Sequence, residues 1–229
     1  MRKAAIYLGV CLLIVVAIVG VVEGIGTKNK FDTETSVSAA VALTEAHMEG
    51  LVTSMQVMAL TDEVQSANWD TMKPLLTEFE ASSIPLVAWF ALANASYYTV
   101  DTGLASGNLS DREYFPVVME GHVAIGYTVV SKSTGKKSTV AVVPVKEGND
   151  IIGALGVSIY LDEMSQSIVT ELGLSNDMVF YAVNDKDDVI ALHSDADMIM
   201  KDASEQPALS DSKSATSSLL DWTFYLGYK

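Results

Sequence analysis

The sequence predicts an α+β fold: one long helix followed by antiparallel sheet modules. Three observations carry that prediction. Val37, Val41, Met48, Leu51, Met55 and Met58 recur at three- and four-residue spacing, with Thr44 filling one gap, and no proline interrupts Phe31 to Gln65. From Ile84 onward the texture changes to short runs rich in Val, Ile, Tyr and other aromatics. Ser133-Thr134-Gly135 and Glu147-Gly148-Asn149-Asp150 separate successive runs by tight turns, which make the flanking strands antiparallel neighbours. A helix followed by antiparallel strands is an α+β layout.

Before the helix lies Ala4 to Val22, 19 residues without a charge, preceded by Met1-Arg2-Lys3 and followed by Glu23. At 1.5 Å per residue a helix of that length spans roughly 28 Å, close to a hydrocarbon core of ~30 Å. Positive charge on the N-terminal side favours a cytoplasmic N-terminus and an exported remainder. A cleaved signal peptide is the alternative. The run exceeds the usual ~7–15 apolar residues, and no A-x-A-like cleavage site follows it. The expected start is therefore a cytoplasmic stub at 1–3, a transmembrane signal anchor at 4–22 and a long helix at 27–66.

Cys11 is the sole cysteine and sits inside the apolar run. The exported part is left without disulfides, so its core must be large enough to stand alone. Of 14 basic residues, removing Arg2 and Lys3 leaves 12 against 29 acidic ones, a net charge of −17. Such a surface disfavours nucleic acid and anionic lipid headgroups. Asn94-Ala-Ser96 and Asn108-Leu-Ser110 match the glycosylation pattern open to exported chains.

The long stripe admits two uses. It packs on the ectodomain's own core, or it forms a dimer seam, since the spacing also fits a 3.5-residue period. A turn at Asn68 and then Pro74 precede a shorter helical piece that ends before Ser82-Ser83. Strands are expected at Ile84–Ala93, Ser96–Val100, Ile125–Val130, Ser138–Val145 and Ile151–Tyr160. A short helix follows near Leu161–Leu172. Met178–Asn184 and Val189–His193 flank the turn Asp185-Lys186-Asp187-Asp188, and Leu219–Gly227 forms a last strand. The polar stretch Ser194–Ser218 between them reads as loop with a short helical piece.

The order of motifs carries a resemblance. An aromatic-rich strand ends in Asp101-Thr102-Gly103, and Asn108-Leu109-Ser110-Asp111-Arg112-Glu113-Tyr114-Phe115 follows. Then come Ser133-Thr134-Gly135-Lys136, Ala141-Val142-Val143-Pro144-Val145, Ile152-Gly153-Ala154-Leu155-Gly156-Val157 and Leu161-Asp162. Met178 to Asn184, Val189 to Asp195 and Trp222 continue the series. With these elements in register, the chain resembles the extracellular Cache sensor family in its double-module, PAS-like form. The resemblance implies a membrane-distal ligand-binding module at 67–165 and a smaller membrane-proximal module at 166–229. It also places the ligand on the distal sheet, under the loop and short helix around Arg112.

Arg112 is the only arginine beyond the N-terminus. Its planar fork of donors matches a carboxylate or phosphate. Tyr114 and Phe115 would form wall and lid, with Tyr98, Tyr127, Ser131 and Ser158 as floor by strand register. A structural role is the alternative for Arg112: a salt bridge to Asp111 or Glu113, or bonds to loop carbonyls. Tyr114 and Phe115 could equally be plain core. Amino-acid-binding members of the family carry an acidic residue where this chain has Ser158, and a tyrosine where it has Gly107. Both departures argue against a standard α-amino acid and for a carboxylate or another small neutral or anionic metabolite.

No other chemistry is legible. His47, His122 and His193 are dispersed, with no zinc-ligand spacing. Asp185, Asp187 and Asp188, or Asp195 and Asp197, lack the glycine and distal glutamate of a calcium loop and read as solvated turn acids. No phosphate loop or nucleophile motif occurs. The chain is expected to be no enzyme and to need no metal or cofactor. The leading reading is a membrane-anchored, outward-facing sensor of a small metabolite. With the chain ending at Lys229, it would relay its state through a homodimer or a separate transducer protein. The alternative is a non-catalytic structural or dimerisation ectodomain with a degenerate pocket.

Overall fold

In the computed structural model residues 32–229 are described; the expected anchor at 4–22 and its flanks lie outside the described residues. Among the described residues no helix is long and apolar enough to cross a membrane. The first element is α1 (Thr33–Met58), capped by Asp32, whose carboxylate accepts from the Glu34 amide at 3.2 Å and the Thr35 hydroxyl at 2.8 Å. Val37, Val41, Thr44, Met48, Leu51, Met55 and Met58 are all buried on the chain's own core. The stripe is thus spent inside the molecule, which removes it as a seam for a second copy.

The helix does not continue to Gln65. It stops at Met58, where the Thr61 hydroxyl donates to the Met58 carbonyl at 2.8 Å and caps a short α2 (Asp62–Gln65). A threonine that can satisfy both helix ends competes with continuation. α3 (Trp69–Ala81) follows, capped by Asn68.

Two antiparallel sheets come next. β1 (Leu86–Leu92), β2 (Ser96–Thr99), β3 (Gly103–Asn108), β4 (Ala124–Val130), β5 (Lys137–Glu147) and β6 (Asp150–Tyr160) make a six-stranded sheet ordered β3-β2-β1-β6-β5-β4. α4 (Tyr114–Met119) lies between β3 and β4, and α5 (Leu161–Glu171) leads out of β6. β7 (Met178–Asn184), β8 (Val189–His193), β9 (Ser210–Thr216) and β10 (Trp222–Tyr228) form the second sheet, ordered β8-β7-β10-β9. Two strands depart from the expected pattern. β3 (GLASGN) and β9 (SDSKSAT) are polar edge strands, β9 exposed over nearly its whole length. An edge strand needs no apolar face and is better without one, so periodicity is silent there.

One apolar cluster joins α1, α3, α5, one face of the first sheet and one face of the second. A second cluster lies on the opposite face of the first sheet, under α4. Trp222 joins the two sheets. It is fully buried, and its indole donates to the Gly126 carbonyl at 3.1 Å. Gly126 has φ +82°, and a Cβ there would lie 2.9 Å from the Leu220 carbonyl oxygen, so only glycine permits this approach.

Glu45 on α1 holds the turn before β10. Its Oε1 accepts from the Ser217 hydroxyl at 2.7 Å, the Ser218 amide at 2.8 Å and the Leu219 amide at 3.3 Å. Burial pushes this carboxyl up, but these bonds together outweigh burial and hold it below its ordinary 4.5. A depressed carboxyl contributes stability that is complete above the unfolded value and is lost as pH falls through the folded one. The urea midpoint of the wild type is therefore expected to fall as pH drops below 4.5. Glu45→Gln should show a shallower decline over the same window. Equal slopes would show that Glu45 contributes nothing to acid sensitivity.

Candidate functional site

The second cluster encloses a cavity of about 20 Å³ lined by Trp89, Tyr97, Leu109, Arg112, Tyr114, Val129, Ser131, Lys132, Ser133 and Ser158. β1 supplies Trp89, β2 Tyr97, β6 Ser158 and the end of β4 Val129; the turn after β4 supplies Ser131, Lys132 and Ser133. Arg112 and Tyr114 come from the segment that enters α4. Four of the residues expected from the sequence meet here: Arg112, Tyr114, Ser131 and Ser158.

The other three lie elsewhere. Tyr98 faces the opposite side of the sheet and stacks on Trp69 of α3, with centroids 5.2 Å apart. Strand alternation puts Tyr97, its neighbour, in the cavity wall instead. Tyr127 stands behind Tyr114, edge-on at 6.0 Å, and Phe115 is buried in the cluster beside the cavity. Trp89 had no sequence signal beyond being one aromatic in an apolar run, yet it dominates the site. Its partner across the ladder is Gly156, where a Cβ would lie 2.3 Å from the indole. The missing side chain lets the indole lie across β6, where Nε1 donates to Ser158 Oγ at 3.2 Å. Trp89 therefore fills space that a ligand would otherwise take.

Arg112 Nη2 donates to the Val130 carbonyl at 2.7 Å, tying the loop before α4 to the end of β4. Its Nε is buried and has no partner. An unpaired buried donor on a charged group carries a desolvation cost that an incoming acceptor would relieve. Of the structural alternatives for Arg112, the bridges to Asp111 and Glu113 are not made, whereas the bond to a backbone carbonyl is. Asp111 pairs with Lys132 Nζ at 2.5 Å, and Lys132 also donates to the Asn108 carbonyl at 2.6 Å. The hydrogen bond from Lys132, foremost, holds the Asp111 carboxyl below its usual range. Burial pushes the Tyr97 and Tyr114 phenols up, with Arg112 opposing it, so both stay protonated donors.

No carboxylate lines the cavity. At Gly107 a Cβ would touch Tyr97 and Lys132 at ordinary distances of 3.6–3.7 Å, so these two occupy the space next to that position. A wider cleft of about 260 Å³ lies between Gly135, Lys136, Lys137, Asp162, Ala196 and Ile199. Its lysines already have partners: Lys137 donates to the Ile199 carbonyl at 2.6 Å, and Lys136 sits 3.9 Å above the Tyr160 ring. Most of the smaller cavity's walls are buried, and they carry an unpaired donor.

His193 and several turn acids have structural partners. His193 Nδ1 accepts from the Asp195 amide at 2.7 Å, which leaves Nε2–H to donate to Gln206 at 2.8 Å. Burial, foremost, pushes this imidazole down and keeps it neutral. Asp195 and Asp202 cap 3₁₀ turns, and Asp185 accepts from Thr223. Among the described residues no group of three His, Cys, Asp or Glu could hold a metal.

No family model matches the chain, and no curated protein does. Solved structures do match. The ligand-binding domain of the Pseudomonas fluorescens chemoreceptor CtaA, in complex with L-valine, aligns over 86% of this chain and 95% of its own, at 13% identity and TM-score 0.69. That of the Pseudomonas aeruginosa amino acid chemoreceptor PctB, in complex with L-Gln, aligns over 85% and 88%, at 16% identity and TM-score 0.62. The V. cholerae histidine kinase DctB sensor domain aligns over 84% and 98%, at 13% identity and TM-score 0.59. At these identities the likeness speaks for the fold alone, and that fold is the α+β architecture the sequence resemblance implied. The matched domains are sensor and ligand-binding domains rather than enzymes.

Proposed function

We propose that this chain is the extracytoplasmic ligand-binding part of a membrane-anchored sensor, with the Arg112 cavity as its site. The division follows the sequence: an anchor at 4–22, a membrane-distal binding module at 67–165 and a membrane-proximal module at 166–229. The ligand is a small carboxylate without an amine. One observation carries this reading: the buried, unpaired Arg112 Nε beside a cavity lined by hydroxyls and free of carboxylates. The solved chemoreceptor domains hold amino acids. Here Ser158 offers a hydroxyl already engaged by Trp89, and nothing in the lining would neutralise an ammonium.

The cavity as it stands has room for one water, so a ligand enters only as α4 or Trp89 moves. That same closure supports a second reading, a structural ectodomain whose site is filled by its own tryptophan. Thermal melting of the full chain separates the two. Acetate, propionate, lactate and pyruvate form one panel; L-alanine, L-valine and L-glutamine form the other. The expected result is a concentration-dependent rise in melting temperature with a member of the first panel, abolished by Arg112→Ala. Stabilisation by the amino acids alone would overturn the carboxylate assignment, and no shift with either panel would favour the structural reading.

A further inference from the structure

We propose that Lys186, carried by the second sheet, is the clasp of the lid over the Arg112 cavity, so that the second sheet holds the first sheet's site shut. Among the described residues, Lys186–Glu113 is the ion pair that joins the two sheets, with Nζ 2.7 Å from Oε2. Glu113 is the residue after Arg112 and the N-terminal flank of α4. Its side chain makes no capping bond to that helix; among the described residues its carboxylate pairs with Lys186. Lys186 also sits 4.8 Å above the Tyr127 ring, which stands edge-on to Tyr114 in the cavity wall. Hydrogen bonding to Glu113, foremost, raises the affinity of this lysine for its proton.

A clasp must be fixed at its base, and this one is. Lys186 lies in the β7–β8 turn. Asn184 begins that turn, accepting from the Lys186 amide at 3.1 Å and donating to Thr128 of β4 at 3.2 Å. The Asp185 amide donates to the Asp221 carbonyl at 3.0 Å, and the Thr223 hydroxyl donates to Asp185 Oδ2 at 2.7 Å. The buried Trp222–Gly126 bond anchors the same corner to β4. The base therefore cannot follow α4 outward, and lid opening must break the Lys186–Glu113 contact. The same end of the lid segment is tied, one residue earlier, by Arg112 to Val130, a bond that a ligand on Arg112 would compete with. Ligand arrival and release of the clasp would then act on one short segment, and the second sheet would register both.

The clasp rests on the ligand reading only for its consequence. Amide hydrogen exchange needs no ligand, so either can fail alone. The measurement compares exchange across residues 109–121 in the full chain for wild type, Lys186→Gln, Lys186→Arg, Glu113→Gln and the double variant. Expected is an acceleration of about two- to fivefold in this segment for Lys186→Gln, the scale of an exposed ion pair. Lys186→Arg should restore slow exchange, and the double variant should open no further than either single one. The Phe115, Glu120 and Gly121 amides, bonded to Arg112, Pro116 and Val118, report on it directly. Exchange that is unchanged in this segment, faster only in residues 184–189, or equally faster in both sheets would overturn the proposal.

Discussion

Trp222→Ala is expected to lower stability by about 3–5 kcal/mol, the range for removing a large buried aromatic. The residue is fully buried, packs on Phe224 at 6.3 Å, and donates to the Gly126 carbonyl. Its loss leaves three deficits in one place: a void, an orphaned carbonyl and a loosened junction between the sheets. Neither side can collapse into the void easily. Leu220 already touches Gly126 as closely as backbone allows, and β10 is pinned between β7 and β9. For a chain of this size the loss corresponds to a fall of roughly 6–20 °C in melting temperature, read by circular dichroism. A loss under about 1 kcal/mol would mean that the sheets do not depend on this contact.

Trp89→Ala should cost a similar ~3–5 kcal/mol, for a different reason with a different signature. The indole lies in the face of the first sheet, across Gly156, and lines the same cavity as Arg112. Truncation leaves an indole-shaped hollow whose rim carries the Ser158 hydroxyl that Trp89 now engages. Because the hollow keeps the shape of what was removed, free indole should bind it and recover part of the lost melting temperature. Wild type should show no such rescue. If added indole fails to stabilise the variant, the walls have collapsed, and Trp89 is packing for the sheet as a whole rather than the plug of a preformed site.

The difference between these two tryptophans shows where sequence reading worked. Trp222 was legible as the close of a last strand in a known order of motifs. Trp89 was not, because its role depends on Gly156, 67 residues later and opposite it in the ladder. The same holds for Tyr97 and Tyr98. Both sit in one strand, and which of them meets the cavity is decided by the pairing of Phe90 with Tyr98, which puts Tyr98 on the helix side. A one-residue choice of face is invisible in a four-residue strand with two adjacent tyrosines. Lys186 offered no local signal at all. It was one charge in an acidic turn until the fold brought it over Tyr127.

The sequence by itself determined the long helix and its buried stripe, the antiparallel character of the strands, and the segment from Asn108 to Phe115 as the place to look. These depend on periodicity, turn chemistry and composition, which act over a few residues. Only the tertiary structure decided the polar edge strands, the face on which each aromatic lies, the near-closure of the cavity by Trp89 and the reach of Lys186 to Glu113. Each of those depends on contacts between residues far apart in the chain, where register and backbone approach, not local preference, choose the neighbour.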